Sequence, residues 1–526
     1  MDVTSPGSLW RDFDAAALPL NLSELSVKTE NGITVKEYYF DGFTTIDGRV
    51  RAFLRVYERP EHKGVVLYMS DTADNSDADA IKHFNENGYT VGVLDFLGRS
   101  ENITRYTLYP RSLSLCNCRN QKTFDAYDDI LKSRWYVWMC MARKATLLLK
   151  TLYENAKIFA LGKGLGGSTV YKLCAFNDGI TACATLLNIV PSITGSGNPL
   201  IFYRAALDTT AYASLTNTPL FMAIASNDED GSFDSMSALA DKTASLKCLR
   251  IVERSFSSGI NVVYPQIERF FEKTAIGEIN VPSPSIKASN SDDNLYFNIS
   301  VEGDDSAIAE YNNVSLFAAF CIENPTQRNW TNLPIVNLGG RESLARADVH
   351  INTKPVYAFV NISNADGDVV SSTLISLTPK SLGISSQPTV KRHLIYEGSM
   401  GTDVWTSPDG GSVNTKSGLF GIDGVYSDAH SLATFKPGDL MYCADEGVLL
   451  QIMVSGKPQT ISISVYDDKS EYTFAVDVPN FDKWYKFTLS HTDFKNKGGQ
   501  LSSWSKINMI KFTSSEEFLI SSVLWV

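Results

Sequence analysis

Gly162-Lys163-Gly164-Leu165-Gly166 stands between an apolar run, Ile158 to Leu161, and a stretch from Ser168 to Leu173 that can be helical. Strand, glycine-dense turn and helix in that order make an elbow. In the form G-x-S-x-G, such an elbow holds out a serine for acyl transfer. Gly164 occupies the serine's position. A glycine has no oxygen with which to form an acyl-enzyme. It does accept the strained backbone that these elbows impose, at little steric cost. The spacing therefore predicts a turn that is kept and a reactive group that is missing.

Other chemistry-bearing residues are dispersed. The six histidines (His62, His83, His350, His393, His430 and His491) form no H-x-x-x-H set. The eight cysteines include one close pair, Cys116 and Cys118, and no C-x-x-C. Reduced, mostly buried thiols are expected, with no structural zinc and no cofactor. The loop "NDEDGSFD" carries Asp228, Asp230 and Asp234 without the spacing of a calcium loop, and reads as solvated. Ser168 lies one turn beyond the elbow and is expected to point into the packing between helix and sheet. Lys163 reads as an exposed elbow residue, and Cys174 and Cys183 as core. Late in the chain, Trp405, Tyr442, Trp484, Trp504 and Trp525 recur on strands or near turns. Aromatic rings flat on a β-surface stack on sugar rings, and the same rings also fill sandwich cores. Trp405, Trp484 and Trp504 are the candidate carbohydrate-binding residues.

The elements that must position these groups fall into three segments of a 526-residue chain, too long for one core. Up to about residue 275, strand-like and helix-like stretches alternate. "ITVKEYYFDGF" and "VRAFLRVYER" read as paired strands. Apolar runs such as "GVVLYMS", "YTVGVLDFLG", "KIFAL" and "PLFMAIAS" are separated by helical patterns, which predicts a mostly parallel sheet with helices on both faces. "IGEINVPSPSIKASNSDD" is rich in Pro, Ser and Asp and reads as a linker. Residues 285–382 then have the pattern of a small β-sandwich, with "NADGD" as a hairpin turn. After "TPKSLGISSQPT", residues 389–526 alternate as a jelly-roll sandwich would. Hydrophobic residues make up 44% and charged residues 20%, an ordinary globular composition. A formal charge of −12 without a basic block argues against nucleic acid and anionic membranes as partners. The first residues lack the basic-then-apolar pattern of a secretory signal, so a cytoplasmic protein is expected, with a processed secreted form as the alternative.

Taken in order, the motifs of residues 8–275 resemble an α/β-hydrolase domain of the acetyl xylan esterase, cephalosporin-C deacetylase and dienelactone hydrolase group. "SLWRDFD", "GYTVGVLDFLGRS", "VWMCMARKATLLL", "KIFALGKGLGG" and "PLFMAIASNDEDGSFD" carry that resemblance. It implies a Ser–Asp–His triad in chain order. The nucleophile then falls on Gly164 and the acid on Asp228, with Asp230 as the alternative. The base belongs in "RSFSSGINVVY", at about Phe256, Ser257 or Ser258, where no histidine stands. None occurs anywhere between His83 and His350. The oxyanion hole would be the N–H of Leu165 with one near Ser70 and Asp71. "WYKFTLSHTDFKNKGGQLSSWSKINMIKF" resembles the end of galactose-binding-like jelly rolls.

Loss of any member of a working triad lowers the rate by about three to six orders of magnitude. The expectation is therefore a non-catalytic relative of carbohydrate acetyl esterases that binds a glycan or an ester-bearing ligand. The alternatives are an ester hydrolase with unusual catalytic groups, and a structural or interaction protein.

Overall fold

The structure, a computed structural model, describes residues 3–526 apart from 31, 47, 72–77, 99–103, 117–129, 188–197, 231, 340 and 481. Cys118 of the C-x-C pair lies outside the described residues. The chain divides into two compact units. One comprises Met1–Ile224, Ser235–Arg250 and Asn261–Val281, and the other Ala225–Asp234, Ile251–Ile260 and Pro282–Val526.

The first unit is built on a nine-stranded sheet. Its strands are β1 (Ser23–Glu30), β2 (Ile33–Thr45), β3 (Gly48–Glu58), β4 (Val65–Ser70), β5 (Thr90–Asp95), β6 (Ile158–Lys163), β7 (Ile180–Leu186), β8 (Leu220–Ala225) and β9 (Leu246–Val252). They lie in the order β1-β2-β3-β5-β4-β6-β7-β8-β9. β1, β2 and β3 are antiparallel, and β5, β4, β6, β7 and β8 run parallel to one another. This is the strand order of the α/β-hydrolase fold. Val65–Ser70 and Leu220–Ala225 are buried at every position, as parallel strands covered on both faces must be.

Two positions of β6 show that cover. Phe159 stacks on Phe271 of the helix Tyr264–Ala275, with ring centroids 4.5 Å apart. Gly162, of opposite parity, faces the helix Leu165–Leu173, where a Cβ would come within 2.4 Å of Gly166 O. The long helix Arg134–Leu152 starts at Ser133, whose hydroxyl accepts the N–H of Tyr136. Its residues 134–142 are all buried, which is why no clean amphipathic period marks it in the sequence.

The second unit is β-rich. Antiparallel sheets form within residues 283–377, one of four strands and one of five, the fifth strand of the latter pairing off the main order. Two six-stranded sheets follow within residues 394–525. The stretch read as a linker is a strand from residue 283 onward: Ser283–Ser291 pairs with Asn294–Glu302 along its whole length. Pro284 and Ile286 face inward between more polar neighbours, and this short alternation is hidden in a Ser-rich segment. The "NADGD" turn joins the paired strands Val356–Ser363 and Val369–Ser371. The last two sheets enclose Ile452, Val454, Ile461, Ile463, Ile510, Phe512, Ile520 and Val523.

Candidate functional site

The elbow is present. β6 ends at Lys163, and α1 (Leu165–Leu173) begins immediately after Gly164. Gly164 has φ 57° and ψ −122°, a combination that is strained for residues with a Cβ. Its N–H donates to Leu186 O of β7 at 3.0 Å, and its carbonyl accepts the N–H of Ser168 at 3.1 Å. The outer glycines have a steric explanation. A Cβ on Gly166 would stand 2.1 Å from Met69 O, so α1 can approach β4 only without side chains there. Ser168 is completely buried, in keeping with a packing role.

The reactive position is filled by another residue. A Cβ built on Gly164 would lie 2.2 Å from Oδ2 of Asp71 and 2.5 Å from its Cγ. The N–H of Leu165 donates to the same Oδ2 at 3.3 Å. The Asp71 carboxylate thus takes the space of the nucleophile's side chain and engages the donor expected to serve an oxyanion. The amino end of α1 favours such an anion, because its first N–H groups have no partner within the helix. Ser70 closes β4 in register with Lys163. The Lys163 ammonium reaches Asn261 Oδ1 at 3.5 Å, and Asn261 Nδ2 donates to Asp79 Oδ2 at 3.2 Å. In the sequence Asp71 stands out only as a neighbour of Ser70 that could supply a backbone donor. Its position directly after the fully buried β4 was the signal for a side-chain role.

Asp228 follows β8 by three residues and is only 2% exposed. Its carboxylate accepts the hydroxyl of Ser232 at 2.5 Å. Burial, with smaller contributions from Asp230 and Glu229, pushes its pKa up to about 6. Asp230 is exposed. Asp234 forms a two-toothed ion pair with the buried Arg328, which stacks 3.5 Å over Tyr357. Among the described residues, no group of three or more His, Cys, Asp or Glu is placed to hold a metal ion.

The loops after β8 and β9 are built into the second unit. Asn227 Nδ2 donates to Arg328 O at 2.9 Å, and Arg254 Nε to Trp330 O at 2.7 Å. The loop due to carry the base is occupied by packing. Phe256 stacks on Phe435, the Ser257 N–H donates to Glu229, and the Ser258 hydroxyl donates to Pro408 O. The two histidines of the first unit are engaged in helix packing or ring contacts. His83 Nε2 is 3.2 Å from Glu268 Oε2, and His62 lies edge-on to Tyr153.

A pH dependence follows from Asp228. Its folded pKa lies above the ordinary 3.8, so its contribution to stability is complete below 3.8 and is lost as pH rises through about 6. Asp228→Asn should raise stability at pH 7 by up to about 3 kcal/mol. The gain over wild type should vanish near pH 4, which urea unfolding at the two pH values measures. An equal effect at both would exclude a charge origin.

Two of the three candidate tryptophans are core residues. Trp405 is 5% and Trp504 3% exposed. Trp405 packs edge-on to Tyr396, and Trp504 lies between Phe494 and Trp525. Their ring faces are taken, which withdraws them as sugar platforms. Trp484 is half-buried, and its indole N–H donates to Leu419 O at 3.0 Å.

No protein-family model and no curated protein matches the chain. Solved structures similar to it include several esterases. An acetyl xylan esterase from Paenibacillus sp. R4 is 13% identical over 49% of this chain and 90% of its own, with a TM-score of 0.37. Acetyl Xylan Esterase 1 from Thermoanaerobacterium sp. JW/SL YS485 is 11% identical over 52% and 95%, at 0.37. Est1E from Butyrivibrio proteoclasticus is 12% identical over 48% and 100%, at 0.32. Such identities say nothing of chemistry, and the fold stands on the strand order itself.

Proposed function

We propose that the chain is a non-hydrolytic relative of carbohydrate acetyl esterases that works by binding a glycan or an ester-bearing ligand. The observation that carries this reading is the Asp71 carboxylate seated against Gly164 and Leu165. An ester carbonyl needs an attacking oxygen and an N–H to stabilise its developing oxyanion. Here the oxygen is missing, and the Leu165 N–H already serves an anion. A carboxylate at that point also repels the negative charge that acyl transfer builds up.

The test is hydrolysis of p-nitrophenyl acetate and of acetylated xylan by wild type and by Asp228→Ala. Both should release product at the same rate, at the level of a heat-denatured control. Faster release by the wild type, lost in Asp228→Ala, would return Asp228 to a catalytic role and remove the binding-only reading.

A further inference from the structure

The last β-domain has a cavity of about 420 Å³ on the sheet that contains Val413–Ser417, Leu450–Gly456 and Phe518–Trp525. That is within the size range of small-molecule sites. Three chain segments form it: Lys416 to Leu419, Ser455 to Lys457, and Glu517 to Leu519. The turn that leaves the first segment carries Phe420, which is 83% exposed. Phe420 also has φ 59° and ψ 24°, the left-handed region that bulky residues avoid. A large apolar ring held outward on unfavourable backbone is retained where something uses it. The turn is held in place from below. Trp484 donates its indole N–H to Leu419 O, and its ring packs so closely that a Cβ on Gly418 would come within 2.8 Å.

We propose that this cavity, lined by Lys416, Leu419, Lys457 and Glu517 and followed directly in the chain by the exposed Phe420, binds a neutral oligosaccharide. The inference rests on the glycan-binding reading above and gives that reading a location. The charges at the rim decide the ligand class. Lys416 is ion-paired with Glu517, and Lys457 with Glu516 at 2.9 Å. A charged ligand would meet a like charge in each of these half-exposed pairs. Sugar hydroxyls accept from an ammonium and donate to a carboxylate at the same time, so a neutral polyol can bridge each pair without separating it. The exposed ring of Phe420 supplies a face for the apolar C–H side of a pyranose, the part that Trp405 and Trp504 cannot play from the core. Trp484 acts as a positioning residue for that turn.

The experiment is affinity electrophoresis of the full chain in gels containing soluble xylan, galactan, β-glucan or polygalacturonate. At least one neutral polymer should retard the protein, and polygalacturonate should not. Phe420→Ala and Lys416→Met should each weaken that retardation roughly tenfold, on the scale of one lost stacking or hydrogen-bonding platform. Ile46→Ser, at an exposed apolar position of the first unit, should leave it unchanged. Phe420 is almost fully exposed, so its variant should keep the wild-type melting curve, which is recorded alongside. Retardation indifferent to both cavity variants would overturn this site and leave glycan binding standing. A preference for polygalacturonate would overturn the neutral ligand class. No retardation by any polymer would overturn both the site and the glycan-binding reading.

Discussion

Gly164→Ser should destabilise the first unit by roughly 3 kcal/mol or more and produce no esterase activity. Two effects add. The backbone at φ 57°, ψ −122° is costly for any residue with a Cβ. The new Cβ would also stand 2.2 Å from Asp71 Oδ2, so the carboxylate must leave its seat and give up the Leu165 N–H. A double-mutant cycle separates the two. Asp71→Ala alone should cost about 2 kcal/mol, because the hydrogen bond from the Leu165 N–H ends on a charged group. The pair should cost at least about 1 kcal/mol less than the sum of the singles, because Asp71→Ala makes room for the serine. Additive values would mean that Asp71 and residue 164 do not compete for the same space. Adding a histidine at Phe256, Ser257 or Ser258 to Gly164→Ser, the repair that the triad order suggests, is expected to fail. The serine has no free seat, and that loop is already packed and hydrogen-bonded.

The second large effect is expected at Lys172, on the same helix. Its side chain is fully buried, with Nζ 4.4 Å over the ring of Trp135 and, among the described residues, no hydrogen bond. Burial lowers its pKa from 10.5 to about 7, against the opposing pull of the Asp208 carboxylate. The unfolded chain keeps this proton up to pH 10.5, whereas the folded chain gives it up near 7. Between those values the unfolded state binds more protons, so stability must rise with pH. The penalty is complete below pH 7 and gone above pH 10.5. Lys172→Met should therefore stabilise the protein at pH 7, by up to about 4 kcal/mol. Urea midpoints at pH 7, 8 and 9 should climb for the wild type relative to the variant, and the gap should close as pH rises. A constant gap would show that the lysine's effect is packing rather than charge.

How far the sequence discloses this molecule depends on which residues carry the pattern. The elbow is legible because its three glycines answer to steric demands that nothing else meets, with Gly162 and Gly166 set by close approach and Gly164 by its backbone angles. The buried strands are legible because cover on both faces makes them continuously apolar. β1 is not, because it is an edge strand whose residues are largely exposed and need no alternation. The strand Ser283–Ser291 is masked by serines that a half-buried edge tolerates. The tryptophans mislead for a different reason. A ring that stacks on sugar and a ring that fills a sandwich leave the same trace in a strand, and only burial tells them apart. Asp71 is the deeper omission. Its role comes from a contact across 94 positions of sequence, between the end of β4 and the start of α1, and no local pattern encodes that contact.

The measurement that bears most directly on the non-hydrolytic reading is the dependence of p-nitrophenolate release on p-nitrophenyl acetate concentration, for wild type and Asp71→Asn in parallel. Asp71→Asn keeps an oxygen that can accept the Leu165 N–H but abolishes the carboxylate as a nucleophile or base. The expected result is release strictly proportional to ester concentration, at the same rate in both proteins and without a burst. Saturable release by the wild type that disappears in Asp71→Asn would contradict the account, and would make Asp71 the working nucleophile of an active esterase.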